Sequence, residues 1–193
     1  MIEDCTAIIL AGGDSRRMGQ DKAMLAFAGQ PLIHAVIDTM QRLFTVTILS
    51  VRQPRPEIAL PQVCDLHADG GPLTGLVSAL VQVTSPWAFV VGCDMPFVSP
   101  ALVEQLATYR AQYQAVVPVV DGRLQPLAAF YSSSCIATMR ASLSLGEKSL
   151  LGAISHLNVC YVDEAEMLRT DPQLRSFFDL DTPQDVAIAQ GFE

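Results

Sequence analysis

The sequence predicts an α/β fold in which a mostly parallel sheet carries helices on both of its faces. Short apolar runs, each the length of one buried strand, alternate along the first half of the chain with stretches that repeat apolar residues at helical spacing. This alternation is typical of a parallel sheet with crossover helices. Several of the apolar runs also lead directly into polar or glycine-rich segments, as expected where parallel strands end at a ligand-binding edge.

The first apolar run, Cys5 to Leu10, is predicted to be a buried strand. It leads to Gly12 and Gly13, where main-chain N–H groups can approach an anion closely. The spacing of these glycines excludes both the P-loop and the dinucleotide-binding pattern. Cationic side chains follow in the same loop and make it a candidate polyphosphate site: Arg16, Arg17 and Lys22.

The next elements continue the alternation. A helix is predicted to begin at Pro31, since apolar residues recur at helical spacing as far as Leu43. Residues 45–51 form a β-branched run that predicts a second strand, and the prolines within 54–61 exclude regular structure after it. A third, short strand is predicted to end at Asp65, before a glycine loop and an amphipathic helix.

Residues 87–92 predict a continuous buried strand that delivers Asp94, and Ser99-Pro100 predicts the start of a further helix. The second half is less regular. Its predicted elements are a strand over 115–120, a turn at Asp121-Gly122, a returning strand over 126–131, helices near 134–143 and 149–156, a strand over 157–162, and a last helix capped by Thr182.

The composition limits the possible partners. The chain has 193 residues, half of them hydrophobic, and is expected to form a single domain over residues 1–193. Its net charge of −8 argues against nucleic acid or an anionic membrane as a partner. Five cysteines without C-x-x-C spacing give little support to a disulfide or zinc site. Without a recognisable signal peptide or membrane span, we expect a cytoplasmic, reduced protein.

Polar clusters follow three of the predicted parallel strands. These clusters are residues 10–22, Asp65 with the glycine loop after it, and Asp94. Because the carboxyl ends of parallel strands meet at one edge of a sheet, we expect the three clusters to converge there.

The first loop has the pattern L-A-G-G-x-S-x-R-M-G-x-D-K over residues 10–22. It resembles the nucleotide-binding signature of the nucleotidyltransferases built on a Rossmann-like sheet, and most closely that of the MobA-like molybdenum cofactor guanylyltransferases. The resemblance covers almost the whole chain, with further matches at GPLTG (71–75), CDMP (93–96), DGRLQPL (121–127) and DTPQD (181–185).

The resemblance implies transfer of GMP from GTP to the terminal phosphate of molybdopterin or the molybdenum cofactor, with Mg²⁺ as cofactor and pyrophosphate as by-product. It implies a nucleotide-binding N-terminal half and an acceptor-binding C-terminal half. In this family's pattern Lys22 and Arg17 act on the phosphates, Asp94 holds the metal and Asp65 faces guanine. The other implied nucleotide-binding residues are Leu10, Ala11, Gly12, Gly13, Pro72 and Leu73, and the implied acceptor-binding residues are Gln125 and Lys148.

The chain departs from the family pattern at two places. Asp179 and Asp181 stand where guanylyltransferases usually have asparagines before Thr-Pro, and Ser50 stands where an asparagine is often found. Asp181 is therefore a candidate second metal ligand. The alternatives are a cytidylyltransferase, another nucleotidyltransferase acting on a phosphorylated acceptor, and a non-catalytic escort for the cofactor. Transient contact with cofactor-biosynthesis proteins or molybdoenzymes is a further expectation.

Overall fold

The computed structural model describes residues 1–12, 22–27, 29–65, 71–189 and 191–192; the side chains of Lys22 and Pro183 are outside the description. The strands are β1 (Cys5–Leu10), β2 (Ala26–Phe27), β3 (Gln30–Pro31), β4 (Val46–Val51), β5 (Gln62–Cys64), β6 (Trp87–Gly92), β7 (Ala115–Val120), β8 (Arg123–Leu124), β9 (Ala128–Ser132) and β10 (Val159–Asp163). The helices are α1 (Leu32–Leu43), α2 (Pro72–Gln82), α3 (Pro100–Ala107), α4 (Ile136–Ser144), α5 (Leu150–Ile154), α6 (Glu164–Met167) and α7 (Pro183–Ala189). Short 3₁₀ helices cover Lys22–Met24, Ser133–Cys135 and Arg175–Phe177.

An eight-stranded sheet in the order β10-β7-β9-β6-β1-β4-β5, with β8 beside β7, forms the centre of the fold. Strands β6, β1, β4 and β5 are parallel neighbours, and β10 is parallel to β7. Among the described strands of this sheet, only β8 and β9 run antiparallel to the strands they pair with. The prediction of a mostly parallel sheet is confirmed.

Alternate residues of the central strands enter two apolar cores, one on each face of the sheet. On β1, Ala7 and Ile9 pack in the core that contains the apolar faces of α1 and α3. Ile8 points the other way, into the core formed with α2, α4 and α5. The helices therefore lie on both faces, as the sequence predicts. No helix of the described residues is long and apolar enough to cross a membrane.

The strand predicted over 126–131 is wrong at its start. The turn at Asp121-Gly122, where both residues have positive φ, first leads into the short strand β8, and β9 begins only at Ala128. The N–H of Gln125 donates to the carbonyl of Pro118 at 2.9 Å, and β9 then pairs with both β6 and β7. Pro126 has no N–H to offer a ladder, which suits it to the crossing between strands.

Candidate active site at the carboxyl edge of the sheet

The four parallel strands β6, β1, β4 and β5 end side by side at one edge. Hydrogen bonds extend the ladder beyond the strand ends, from Cys93 N–H to Leu10 O at 3.1 Å and from Asp65 N–H to Val51 O at 2.9 Å. Asp94 lies two residues after the end of β6. The structure thus places Leu10, Asp65 and Asp94 at the same edge, as predicted. Three strand spacings separate the ends that carry the two aspartates, on the order of 14 Å.

The carboxylate of Asp65 packs against β4 and the first turn of α2. The Ser50 hydroxyl lies 3.4 Å from Asp65 Oδ1 and 3.1 Å from the carbonyl oxygen of Gly75, and donates to these acceptors. A Cβ at Gly75 would lie 3.3 Å from Asp65 Oδ1 and 3.2 Å from Ser50 Oγ. A glycine at the end of the GPLTG motif therefore allows the helix to approach the carboxylate closely.

Burial raises the pKa of Asp65, while the nearby Arg52 guanidinium and the Ser50 hydroxyl act in the opposite direction. The carboxylate has thus given up part of its hydration in the folded protein. A desolvated carboxylate gains from a ligand that supplies N–H donors, which suits Asp65 to the predicted contact with a base.

We expect Asp65→Asn to leave the free energy of unfolding at neutral pH unchanged or higher. A raised carboxyl pKa means that the charged form costs stability in the folded state at pH values above that pKa, and this cost vanishes in acid. The same variant should weaken binding of GTP, the nucleotide that the resemblance implies, more than binding of CTP. Denaturant unfolding at neutral and acidic pH, with nucleotide titrations, checks both expectations. A loss of stability at neutral pH with equal losses for the two nucleotides would make Asp65 a structural residue.

Asp94 lies half-buried in the segment after β6. A Cβ at Gly92 would lie 2.5 Å from Asp94 Oδ1, so the carboxylate folds back over that glycine. The Asp94 carbonyl accepts a hydrogen bond from Leu180 N–H at 2.9 Å. This bond brings Asp181, the other predicted metal ligand, into the same part of the edge.

The cap of α7 is formed by Thr182 and Asp185. The Thr182 hydroxyl accepts from Asp185 N–H at 3.2 Å, and Asp185 Oδ2 accepts from the N–H groups of Asp181 and Thr182. This reciprocal arrangement is a capping box and confirms the predicted N-cap at Thr182. Because Thr182 provides the cap, capping does not explain the carboxylate at Asp181.

One apolar cluster supports the segments that carry Lys22, Asp94 and Asp181. Its members come from the chain just after Lys22, the start of α1, the loop after Asp94, the chain before Asp181 and α7. They include Leu25, Phe27, Leu32, Phe97, Phe178, Leu180, Val186 and Ala189. The Phe97 ring contacts Phe27 edge-on at a centroid distance of 5.5 Å and Phe192 at 5.1 Å. Segments far apart in the sequence are thus packed together beneath one part of the edge.

The remaining predicted nucleotide-binding residues lie in the first loop and at the start of α2. Gly13 and Arg17 lie outside the described residues, and of Lys22 the structure describes only the main chain, which begins a 3₁₀ helix. Pro72 is exposed at the start of α2, whereas the Leu73 side chain is fully buried in the core, so that only its main chain is suited to contact a ligand.

The two predicted acceptor residues lie on different elements. Lys148 is exposed, and its carbonyl oxygen would be 2.7 Å from a Cβ at Gly71, next to the start of α2. Gln125 is half-buried in the crossing from β8 to β9. Within the part of the chain that the structure describes, no hydrogen bond or salt bridge joins the two, and their roles stay predictions.

Arg52 is a residue of this edge that the sequence did not predict. It follows β4 directly, half-buried, and acts on the charge of Asp65. Its only signal in the sequence is its position after a predicted strand, which many solvent-exposed arginines share. Among the described residues, no group of three or more His, Cys, Asp or Glu side chains is arranged to bind a metal ion.

Comparisons with known proteins agree with the pattern of the first loop. The chain matches the MobA-like NTP transferase domain over residues 7–159. It is 37% identical to a probable molybdenum cofactor guanylyltransferase of Pelotomaculum thermopropionicum, over 96% of this chain and 91% of the relative. A protein of the same name from Methanosarcina mazei is 31% identical, over 94% and 88% of the two chains. The solved structure of molybdopterin-guanine dinucleotide biosynthesis protein A from Archaeoglobus fulgidus has a TM-score of 0.86 at 28% identity, covering 96% of this chain and 97% of that one.

Proposed function

The chain belongs to the MobA-like NTP transferase family, and on that premise we propose that it transfers GMP from GTP to the terminal phosphate of molybdopterin or the molybdenum cofactor. The observation that carries the proposal is the placement of Asp65 and Asp94 on opposite sides of the Leu10–Gly12 segment. A nucleotide lying along this edge would have its base near Asp65 and its phosphates near Asp94.

In the proposed reaction an oxygen of the acceptor phosphate attacks the α-phosphorus of GTP. A new bond forms between this oxygen and the α-phosphorus, while the bond from the α-phosphorus to the bridging oxygen breaks. Pyrophosphate leaves with the electron pair. Since the attacking phosphate is already ionised, no side chain has to remove a proton. The protein's task is to align two anions and to reduce their repulsion.

Each proposed residue has a part in that alignment. Asp65 accepts N–H groups on the edge of guanine, and the main chain of Leu10, Ala11 and Gly12 supports the base and ribose. Lys22 and Arg17 oppose the negative charge of the phosphates. Gln125 and Lys148 are proposed to contact the acceptor, with Lys148 next to the start of α2.

We further propose that the reaction depends on Mg²⁺. Mg²⁺ is held in proteins by one or two carboxylates together with substrate phosphates and water, so a larger cluster of acidic side chains is not required. Asp94 and Asp181 offer such oxygen ligands from neighbouring segments joined by the Leu180–Asp94 hydrogen bond. When bound, the ion would offset charge on the phosphates and polarise the bond that breaks.

Asp181→Asn is expected to weaken transfer and to raise the Mg²⁺ concentration needed for half-maximal rate. Asparagine keeps the size of aspartate but lacks the negative charge that a hard cation prefers. The measurement is the rate of transfer against Mg²⁺ concentration. Asp185→Asn, which alters the cap of α7, is the matched control and should leave the Mg²⁺ requirement unchanged. An unaltered Mg²⁺ curve for Asp181→Asn would leave Asp94 as the only protein carboxylate on the metal.

Gly92→Ala is expected to lower the transfer rate by at least about tenfold, because the added methyl group displaces the Asp94 carboxylate by a sizeable fraction of an ångström or more. Asp94 has a short side chain that can turn aside, so the fold should persist. Steady-state rates and thermal unfolding measure the two effects. A fully active Gly92→Ala enzyme would show that the observed position of the Asp94 carboxylate does not matter.

Pyrophosphate release from each of the four nucleoside triphosphates, with and without molybdopterin, tests the proposed function. We expect release from GTP only, and only when the acceptor is present. Preference for CTP would favour a cytidylyltransferase. Binding of GTP without release under any condition would favour a non-catalytic escort of the cofactor.

A further inference from the structure

We propose that Arg52 is a positioning residue for base selection, whose guanidinium keeps the Asp65 carboxylate charged and oriented toward the N–H donors of guanine. The proposal rests on the proposed function and assigns a role to a side chain that the motifs of the first loop do not include. It makes selection of the base a property of a pair of residues, one after β4 and one after β5.

Arg52 and Asp65 meet over Gly12. A Cβ at Gly12 would lie 3.4 Å from Arg52 Cγ and 3.3 Å from Asp65 Oδ2. The other carboxylate oxygen, Oδ1, lies on the side of Ser50 and Gly75. The two oxygens of Asp65 therefore have different neighbours, with Oδ2 toward Gly12 and the stem of Arg52.

The segment that carries Arg52 is held in place by Gln62 at the start of β5. The Gln62 side chain accepts from Arg55 N–H at 2.8 Å and donates to the carbonyls of Arg55 at 2.7 Å and Ile58 at 3.1 Å. These bonds close the loop between β4 and β5. The main chain after Arg52 is therefore well anchored, which favours a defined position of its side chain.

The same group of residues is open to a ligand. Gly12 and Arg52 line a cleft of about 370 Å³ together with Ala11 and Arg55. A molecule that lies against the main chain of Gly12 would come within reach of both Arg52 and Asp65. Arg52 thus lies at the wall of a cleft, beside the proposed nucleotide, and Asp65 is adjacent to the cleft across Gly12.

The charges around Asp65 explain why Arg52 matters. Burial raises the pKa of Asp65, and the Arg52 charge is the larger of the two influences that oppose this rise, ahead of the Ser50 hydroxyl. Gly12 and Gly75 bring no charge from β1 and α2. A protonated carboxyl loses part of its acceptor capacity and becomes a donor itself, so it is a poorer partner for two N–H groups.

Other charged residues near this position must be separated from Arg52. Lys148 is exposed on the loop beside Gly71, and Arg55 pairs with Glu57 at 3.9 Å on the segment after Arg52. His67 and Asp69 are close in sequence but lie outside the described residues. The experiment therefore includes variants at Arg55 and His67.

The test is direct binding of GTP, ITP and CTP to the full chain, measured by calorimetry from pH 5 to pH 8 without acceptor. ITP lacks the exocyclic amino group of guanine and so offers one N–H partner fewer. We expect Arg52→Gln to weaken GTP binding about tenfold at neutral pH, with a smaller loss for ITP and CTP. The acid limb of the GTP affinity profile should move to higher pH in this variant.

Arg42→Gln is the matched control, because it removes the same charge from the exposed last turn of α1, and it should keep the wild-type profile. Arg55→Gln removes the other cation of the cleft, and any loss of affinity should be equal for the three nucleotides, with the acid limb unmoved. Arg52→Gln should move the acid limb by the same amount in a His67→Ala background as in the wild-type background. Arg52→Lys retains a positive charge and should restore much of the profile if the role is electrostatic. Should Arg52→Gln unfold, as judged by thermal denaturation, Arg52→Met carries the test, because it keeps an aliphatic stem beside Gly12 without the charge, and we expect the same loss of preference for GTP over ITP.

Equal losses for the three nucleotides would overturn the proposal, since they would place Arg52 on the phosphates or in the architecture of the loop. An unchanged pH profile and GTP-to-ITP ratio in Arg52→Gln, or in Arg52→Met if Arg52→Gln is unfolded, would also overturn it. Because binding is measured without transfer, a chain that binds GTP selectively but releases no pyrophosphate would contradict the proposed function and still decide the role of Arg52.

Discussion

Asp94→Asn is expected to abolish nearly all nucleotidyl transfer. The carboxylate follows β6, the strand next to β1, and lies where the phosphates of a nucleotide along the edge would be. Asparagine retains the size of the side chain but removes the charge that Mg²⁺ prefers in a ligand. The rate of transfer at saturating GTP and acceptor, measured over a wide range of Mg²⁺ concentrations, checks the expectation.

Asp38→Asn serves as the control for this variant, since Asp38 is an exposed aspartate on α1 and its loss should not change the rate. Thermal unfolding of Asp94→Asn should show a folded protein, because the hydrogen bond from Leu180 N–H is made to the main-chain carbonyl of residue 94. Turnover within a few-fold of wild type would contradict the assignment of Asp94 to the metal.

Lys22→Ala is expected to lower the rate of transfer by roughly 10²–10³, which is the usual effect of losing one preorganised group that stabilises charge in the transition state. The chain has only two lysines, and Lys22 is the one in the glycine-rich loop. The measurement is turnover at saturating GTP, so that weaker binding alone does not produce the effect.

Arg42→Ala removes one positive charge from the exposed last turn of α1 and is the matched control, expected to keep full activity. Lys22→Arg, which retains the charge, should recover part of the rate. Wild-type turnover in Lys22→Ala at saturating GTP would show that Lys22 does not act on the reacting phosphates.

Much of the first half of the fold could be predicted because its strands are continuous apolar runs and its crossover helices follow them directly. Each of β1, β4, β5 and β6 lies within two residues of its predicted bounds. The second half was harder, since β9 is inserted between β6 and β7 by pairing over long sequence distances. Neither β8 nor the hairpin of β2 and β3 has more than two residues in each strand, too few for a recognisable alternation.

The site shows the same division. Asp65 and Asp94 could be placed at one edge because the ends of parallel strands converge. The influence of Arg52 on Asp65 could not, because it depends on the close approach of two loops over Gly12. The apolar cluster that joins Phe27, Phe97 and Phe192 could not be predicted either, since its members are scattered along the chain and meet only in the folded state.

The fate of labelled GTP is the most direct test of the account. With molybdopterin and Mg²⁺ present, label in the α-phosphate should appear in a molybdopterin-guanine dinucleotide, and label in the γ-phosphate should appear in pyrophosphate in equal amount. Asp94→Asn should form neither product. Release of the γ-label as inorganic phosphate with the α-label left in GDP, or no incorporation of the α-label into an acceptor-dependent product, would contradict guanylyl transfer at this edge of the sheet.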